Sequence, residues 1–207
     1  GNQDRRDGAG TDADVGRAYN EFWWDRATKV SSDRRTSLVT DPPDGKVPAL
    51  TPDAQSRAAN NGRGGGGFGG GGRNDTWEDR SLWERCITRT LPRTPGGGYN
   101  PNYQIVQGPD SVAILNEMIH EARLIPIDGR PHLSQGVRQW QGDAIAHWEG
   151  DTLVVDTTNF SEKVNYRGSS TTLHLIERFT RLDQDTLLYE MTVDDPTTWT
   201  RPWTLSF

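Results

Sequence analysis

Residues 171–195 read TTLHLIERFTRLDQDTLLYEMTVDD, two alternating runs, 171–182 and 186–194, joined by a short polar turn. Alternation of apolar and polar side chains is typical of β-strands, because successive side chains point to opposite faces of a sheet. The turn residues Asp183-Gln184-Asp185 suit a tight connection. The two runs therefore predict an antiparallel hairpin.

Neither face of this predicted hairpin is purely apolar. One face of the first run carries, in order, Leu173, Leu175, Glu177, Phe179 and Arg181. A mixed face of this kind is expected where a sheet lines a cavity that contains polar groups, or where it meets another chain.

Further runs of strand length extend from this hairpin through residues 103–207, and turn residues separate them. The turns include 108–110, 128–129 and 150–151, which are rich in glycine and aspartate. No stretch between the runs suits a crossover helix, so we predict an antiparallel meander of seven or eight strands. Such a meander forms a barrel or a sandwich, and we favour the barrel. The other runs contain Val106, Val112, Ile114, Met118 to Ile119, Leu124 to Ile127, Trp148, Leu153 to Val155 and Trp203 to Phe207.

The first 99 residues have a different character. They hold 17 of the 23 glycines, and residues 62–72 read GRGGGGFGGGG. Such a segment loses much backbone entropy on ordering and has only Phe68 as a large side chain to offset that cost. We therefore predict an extended arm over 1–99, with a glycine-rich linker at 62–72, followed by a β-barrel domain over 100–207.

Three short helices are predicted within the arm. Residues 14–27 place apolar side chains on one helical stripe. A second helix follows Thr51 as N-cap and Pro52 as first helical residue, and it stops near Asn60 to Gly62. A third is predicted over 77–87, where Leu82, Trp83, Cys86 and Ile87 share a helical spacing.

Charge and hydropathy exclude two classes of function. Residues 1–99 carry 15 Lys and Arg against 14 Asp and Glu, whereas residues 100–207 carry 8 against 15. The net charge of −7 on the second part argues against nucleic-acid binding, which needs clustered positive charge. No apolar run approaches the roughly 20 residues of a membrane-spanning helix.

The chain begins at Gly1 without an apolar leader, which fits a processed exported protein and a fragment equally well.

Catalytic and metal-binding patterns are weak, and we predict no catalytic residue, metal or cofactor. His120, His132, His147 and His174 show no spacing typical of metal ligands. The best titratable cluster is His120 with Glu117 and Glu121, but alternation along a strand would separate the histidine from the two glutamates. Asp194-Asp195 precedes Pro196 and is interpreted as part of a turn rather than as a catalytic carboxylate pair. Cys86 is the only cysteine.

Aromatic residues are the most prominent feature left unexplained. The eight tryptophans suggest cores and interfaces, where an indole is partly dry and partly hydrogen-bonded. Trp148, Trp199 and Trp203 are expected to fill the barrel interior or its mouth. A small arm cannot bury both Trp23 and Trp24 alone, so we expect one of them to dock on the barrel or on another protein. The candidate partner contacts are Tyr19, Phe22, Trp23, Trp24, Phe68, Trp77 and Trp83.

Several motifs resemble a widespread family of uncharacterised exported bacterial proteins. They are NPNYQIVQ at 100–107, NEMIHEAR at 116–123, DGRPH at 128–132, WEGDTLVV at 148–155 and DPTTWTRPW at 195–203. The resemblance covers about residues 75–207 and implies a lipocalin-like or calycin-like β domain and an extracytoplasmic, periplasmic location. It implies no established activity. Such proteins usually continue into a tail with a second cysteine, so a disulfide partner for Cys86 beyond Phe207 is a further expectation.

Two functional expectations remain open. The first is a non-enzymatic extracytoplasmic interaction protein whose arm lies across other protein subunits, for example as a membrane-extrinsic subunit that stabilises a photosynthetic reaction-centre assembly. The second is a protein that uses the barrel cavity to bind a small apolar ligand, or an enzyme that acts in that cavity.

Overall fold

The computed structural model describes residues 35–61, 76–77, 80, 82, 84–88, 91, 102–164 and 166–207. These residues form a mainly β structure with one α-helix, α1 (Pro52–Asn61), and a 3-10 turn at Met118–His120. The nine strands are β1 (Val39–Asp41), β2 (Tyr103–Gln107), β3 (Ser111–Asn116), β4 (Ala122–Pro126), β5 (Asp143–Glu149), β6 (Thr152–Thr158), β7 (His174–Arg181), β8 (Leu187–Asp194) and β9 (Trp203–Ser206).

The strands form two antiparallel sheets. The larger has the order β1-β9-β8-β7-β6-β5, and the smaller has the order β2-β3-β4. All neighbouring strands run antiparallel, as predicted for a meander. Within the described part of the chain the sheets do not close into a barrel, so the calycin-like barrel is not confirmed.

One face of the six-stranded sheet holds most of the core. Val155 of β6, Glu177 of β7, Met191 of β8 and Leu205 of β9 lie opposite one another in register, and all four are buried. The apolar side chains beside them, including Leu175 and Trp203, are buried on this face because alternate residues of each strand point the same way. Glu177 is the charged exception in this row.

The three-stranded sheet covers one end of that face. Val112 and Ile114 of β3 and Ile125 of β4 are buried against Ala146, Leu153 and Val155 of β5 and β6. The alternate residues of β3 and β4 point away from this contact, and Leu115 and Leu124 are exposed. The smaller sheet therefore has a buried inner face and a partly apolar outer face.

Two elements come from the segment assigned to the arm. β1 pairs with β9, and Leu50 forms a bridge with Trp199. α1 begins as predicted, because the Thr51 hydroxyl accepts a hydrogen bond from the Ala54 amide at 3.2 Å. Residues 39–41 therefore pair with this protein's own sheet and do not need a partner for that contact, while the domain boundary at 99 stays a prediction.

Two local predictions are wrong. The described residues of 77–87 have no α-helical conformation: Trp77 is in a 3-10 conformation, the others lie in turns and bends, and Cys86 has φ of +53°, which interrupts a right-handed helix. Residues 118–119 form a 3-10 turn instead of a strand, with φ of +67° at Ile119. The predicted helix over 14–27 and the linker over 62–72 lie outside the described residues.

The tryptophans of the β region divide into two groups. Trp199 and Trp203 are buried and meet edge to face, with ring centroids 5.5 Å apart. Trp148 is exposed and does not fill an interior, because it lies near the end of β5, beside the turn at 150–151, although it shares a strand face with the buried Ala146. Its alternative place at a barrel mouth stays a prediction. In the described part of the chain, no helix combines the length and apolar character needed to cross a membrane.

Candidate functional site

A cavity of about 200 Å³ lies between the two sheets. We call it the inter-sheet cavity. Its walls are mainly apolar because inward-facing residues of β2, β3, β7 and β8 converge there. The apolar and aromatic lining residues are Leu91, Tyr103, Ile105, Ile114, Phe179 and Leu187, and the polar ones are Asn116, Arg123, Glu177 and Tyr189.

A buried ion pair forms the polar wall of the inter-sheet cavity. Arg123 donates to both carboxylate oxygens of Glu177, at 3.1 and 2.6 Å, and the two side chains are only 5% and 1% exposed. The same guanidinium donates to the Thr157 hydroxyl at 3.3 Å, and the Tyr189 hydroxyl donates to Glu177 Oε1 at 2.7 Å. Two sheets are thereby joined by one hydrogen-bonded polar group.

The electrostatics of this group favour one protonation state. Burial raises the pKa of the Tyr189 hydroxyl well above its ordinary value, and the charge of Glu177 raises it further. Burial by itself lowers the pKa of Arg123, but the Glu177 carboxylate outweighs it and the net shift is upward. Tyr189 therefore stays a hydrogen-bond donor and Arg123 stays charged over the physiological range.

Two buried atoms at this wall have no hydrogen-bond partner among the residues that the structure describes. They are Arg123 Nε, which is a donor, and Asn116 Oδ1, which is an acceptor. Both side chains line the inter-sheet cavity, and Asn116 is 3% exposed. Buried polar atoms are nearly always satisfied in folded proteins, so these two mark a place where another molecule can bond.

The aromatic wall is ordered by stacking. The rings of Phe179 and Tyr189 lie 4.6 Å apart and nearly parallel, and Tyr189 also contacts Phe207 at 5.4 Å. Tyr103, Ile105 and Leu187 are partly exposed and lie at the mouth. The inter-sheet cavity thus has a polar wall held by hydrogen bonds and a mouth lined by large, mainly apolar side chains.

A second titratable cluster lies on the outer face of β6 and β7. His132 contacts Asp143 at 3.0 Å and Asp156 at 3.1 Å, and His174 contacts the same Asp156 oxygen at 2.8 Å. Asp156 accepts a hydrogen bond from the His174 ring, and this bond raises the pKa of His174 and lowers that of Asp156. No group of three or more His, Cys, Asp or Glu among the described residues could hold a metal ion.

The predicted titratable cluster around His120 does not act as a unit. Glu117 accepts a hydrogen bond from Asn102 at 2.7 Å, while Glu121 accepts one from Thr88. The 3-10 turn at Met118–His120 separates the two glutamates instead of placing them on one strand face. The predicted turn role of Asp195 is confirmed, because its carboxylate accepts hydrogen bonds from the residues that follow it.

Of the seven aromatic residues predicted to contact a partner, Trp77 is the one that the described residues include. It is 65% exposed, and the guanidinium of Arg85 lies 4.4 Å from its ring centroid. Its role as a partner contact stays a prediction. The others lie outside the described residues: Tyr19, Phe22, Trp23, Trp24, Phe68 and Trp83.

Sequence reasoning missed most of the cavity residues. Glu177 is a charge on a largely apolar strand face, and this pattern indicates a polar cavity wall. Arg123 gave a similar signal, because it stands between Ala122 and Leu124 on a strand whose alternate residues, Arg123 and Ile125, turn out to be buried. Asn116 carries no comparable pattern.

The chain matches no protein-family model, no curated protein and no solved structure. The family resemblance in the motifs at 100–107, 148–155 and 195–203 therefore stays a prediction.

Proposed function

We propose that the protein binds a small, mainly apolar molecule in the inter-sheet cavity. The main support is a preformed space with apolar walls and a few converging polar groups, which is typical of a small-molecule binding site. Its volume of about 200 Å³ exceeds the ~150 Å³ that accommodates benzene in a protein interior. A single ring with a short substituent matches this size.

The polar wall supports binding rather than a change of the bound molecule. Glu177 already accepts hydrogen bonds from Arg123 and Tyr189, and this network holds all three side chains in place. A rigid polar wall orients a ligand, and the apolar walls supply the contact area. The calycin-like barrel expected from the sequence is part of this proposal, with the inter-sheet cavity as its ligand chamber.

A blocked mouth tests the proposal. Leu187 lines the inter-sheet cavity, and Leu187→Trp places a larger side chain there. Leu182 is exposed and does not line it, so Leu182→Trp is a matched control. Toluene should shift amide resonances of cavity residues in the wild type and in the control, with at least about tenfold weaker binding in Leu187→Trp. Equal binding by both variants, or none by the wild type, contradicts the proposal.

A second function is favoured by the outer face of the three-stranded sheet. Val106, Leu115 and Leu124 are all exposed there, and Val106 and Leu124 flank the same residue of β3, Ala113. Exposed apolar patches of this kind mark contact sites for other proteins. This face supports the expected role as an extracytoplasmic interaction subunit of a larger membrane assembly.

Native purification tests this second function. The wild-type chain should migrate with a large membrane complex, and Leu124→Glu should release it because a charge on the apolar face weakens the contact. Leu182→Glu changes an exposed leucine elsewhere and should leave migration unchanged. Migration of the wild-type chain as a monomer contradicts a stable assembly.

A further inference from the structure

We propose that the molecule bound in the inter-sheet cavity carries, at its buried end, a neutral group that both donates and accepts hydrogen bonds. An alcohol and a primary carboxamide are the matching chemical classes. This inference rests on the proposed binding function and names the polar part of the ligand.

Two unsatisfied polar atoms lie at the polar wall of the inter-sheet cavity. Within the described part of the chain, Arg123 Nε–H lacks an acceptor and Asn116 Oδ1 lacks a donor, although both side chains are more than nine-tenths buried. Both residues line the inter-sheet cavity and lie on neighbouring strands, β4 and β3. A hydroxyl or a carboxamide offers one acceptor and at least one donor, and so can satisfy both atoms.

The charges of the cavity wall favour a neutral ligand group. Among the lining residues that the structure describes, Arg123 and Glu177 are the charged ones, and they neutralise each other through two hydrogen bonds. A carboxylate ligand would place a second negative charge beside Glu177 and would have no donor for Asn116 Oδ1. An ammonium ligand would leave Arg123 Nε without an acceptor. A neutral group avoids both penalties.

The apolar walls of the inter-sheet cavity suit an aromatic ring. Phe179 and Tyr103 contribute aromatic walls, and Ile105 and Ile114 contribute aliphatic ones. A ligand with one ring and one short polar substituent brings its ring against these walls while its substituent reaches Asn116 and Arg123. Benzyl alcohol and benzamide have this outline.

Four compounds with one shared ring framework test the inference on the full chain. Benzyl alcohol, benzamide, toluene and benzoate are titrated at pH 7, and dissociation constants are taken from NMR shifts of cavity residues. The alcohol and the amide should bind about fivefold or more tightly than toluene, as a gained hydrogen bond predicts. Benzoate should bind more weakly than the alcohol.

A variant pair assigns the effect to Asn116. Asn116→Leu removes the acceptor at similar volume, so the advantage of benzyl alcohol over toluene should shrink while toluene still binds. Gln104→Leu makes the same change of amide to alkyl on an exposed residue of β2 and should keep the advantage. The ratio of two affinities in one variant is insensitive to a modest loss of stability, and the wild-type series stands without either variant.

The outcomes separate the two proposals. If toluene binds as tightly as the alcohol and the amide, or if benzoate binds most tightly, the neutral donor–acceptor group is wrong while cavity binding stands. If none of the four compounds shifts the resonances of cavity residues, the proposed binding function is itself wrong.

Discussion

Arg123 of β4 and Glu177 of β7 form a buried ion pair with two hydrogen bonds, and this pair joins the three-stranded sheet to the six-stranded sheet. The two residues are 54 positions apart in the chain. A charged pair in this place also separates the apolar contact of β3 and β4 from the core around Trp203. It therefore fixes how the sheets meet and forms the polar wall of the inter-sheet cavity.

Removing one partner of this pair should be costly. Glu177→Leu leaves the Arg123 guanidinium buried without its counter-charge, and we expect a loss of about 3–5 kcal/mol in the free energy of unfolding. Urea denaturation measures it. The double variant Arg123→Met with Glu177→Leu should recover much of that loss, because no charge is then buried.

A surface ion pair supplies the control for this prediction. Glu149 accepts from Arg178 at 2.6 Å, but both side chains are well exposed, so Glu149→Gln should change stability little. If Glu177→Leu is as stable as Glu149→Gln, the interpretation of the pair as a buried unit is wrong.

The pKa of His174 should be raised by its contact with Asp156. The raised pKa stabilises the fold at pH values below the ordinary 6.5, and this contribution is lost as pH rises through the folded-state pKa. The lowered pKa of Asp156 stabilises the fold above 3.8 and is lost on acidification. The pair therefore contributes most between these two values.

NMR titration of the His174 ring measures this directly. The midpoint should lie above 6.5 in the wild type and should fall in Asp156→Asn. Asp194 also faces His174, and Asp194→Asn should lower the midpoint by less, because it provides charge without the 2.8 Å hydrogen bond. A midpoint that is unmoved by Asp156→Asn contradicts the assignment.

Asp195 should be important for the connection between β8 and β9. Its carboxylate accepts from the Ser170 amide and the Thr172 hydroxyl at 2.7 Å, and from the Thr198 hydroxyl at 2.8 Å. Asp195→Ala leaves these donors unpaired, and we expect a loss of at least about 2 kcal/mol in unfolding free energy. Asp194→Ala, one residue earlier, should cost less in the same urea titration; equal losses would contradict this role.

Gly142 should resist substitution. Its φ is +70°, and a Cβ atom there would lie 2.6 Å from the carbonyl oxygen of Thr158. Gly142→Ala should therefore lower the free energy of unfolding by about 2 kcal/mol or more. Gly136→Ala is the control, because a Cβ at Gly136 meets nothing within 4 Å. Calorimetric melting of both variants checks this, and equal melting temperatures would refute it.

The sequence predicted elements that depend on near neighbours. Thr51 caps α1 as expected, and the alternation of 171–182 and 186–194 appears as the paired strands β7 and β8. The strand predicted at 118–119 is wrong because the apolar pair Met118 and Ile119 resembles a strand, whereas the chain turns there through Ile119 and His120, which both have positive φ.

The candidate site depends on distant residues and was harder to predict. Glu177 was visible as a charge on an apolar face, but its partner Arg123 could be identified only once the sheets were placed together. The same holds for His132 and His174, which have no characteristic spacing and meet through Asp156. Barrel closure stays unconfirmed, and the sequence could not decide it, because alternation shows which face of a strand is buried and not whether the last strand pairs with the first.

The most direct test of cavity binding is a set of intermolecular NOEs between toluene and the methyl groups of the protein. Ile114 is buried at the inter-sheet cavity and Leu187 lies at its mouth, whereas Leu124 lies on the outer face of the same small sheet. We expect NOEs from toluene to Ile114 and Leu187 and none to Leu124. NOEs to Leu124 without any to Ile114 would place toluene on the surface and contradict binding in the inter-sheet cavity.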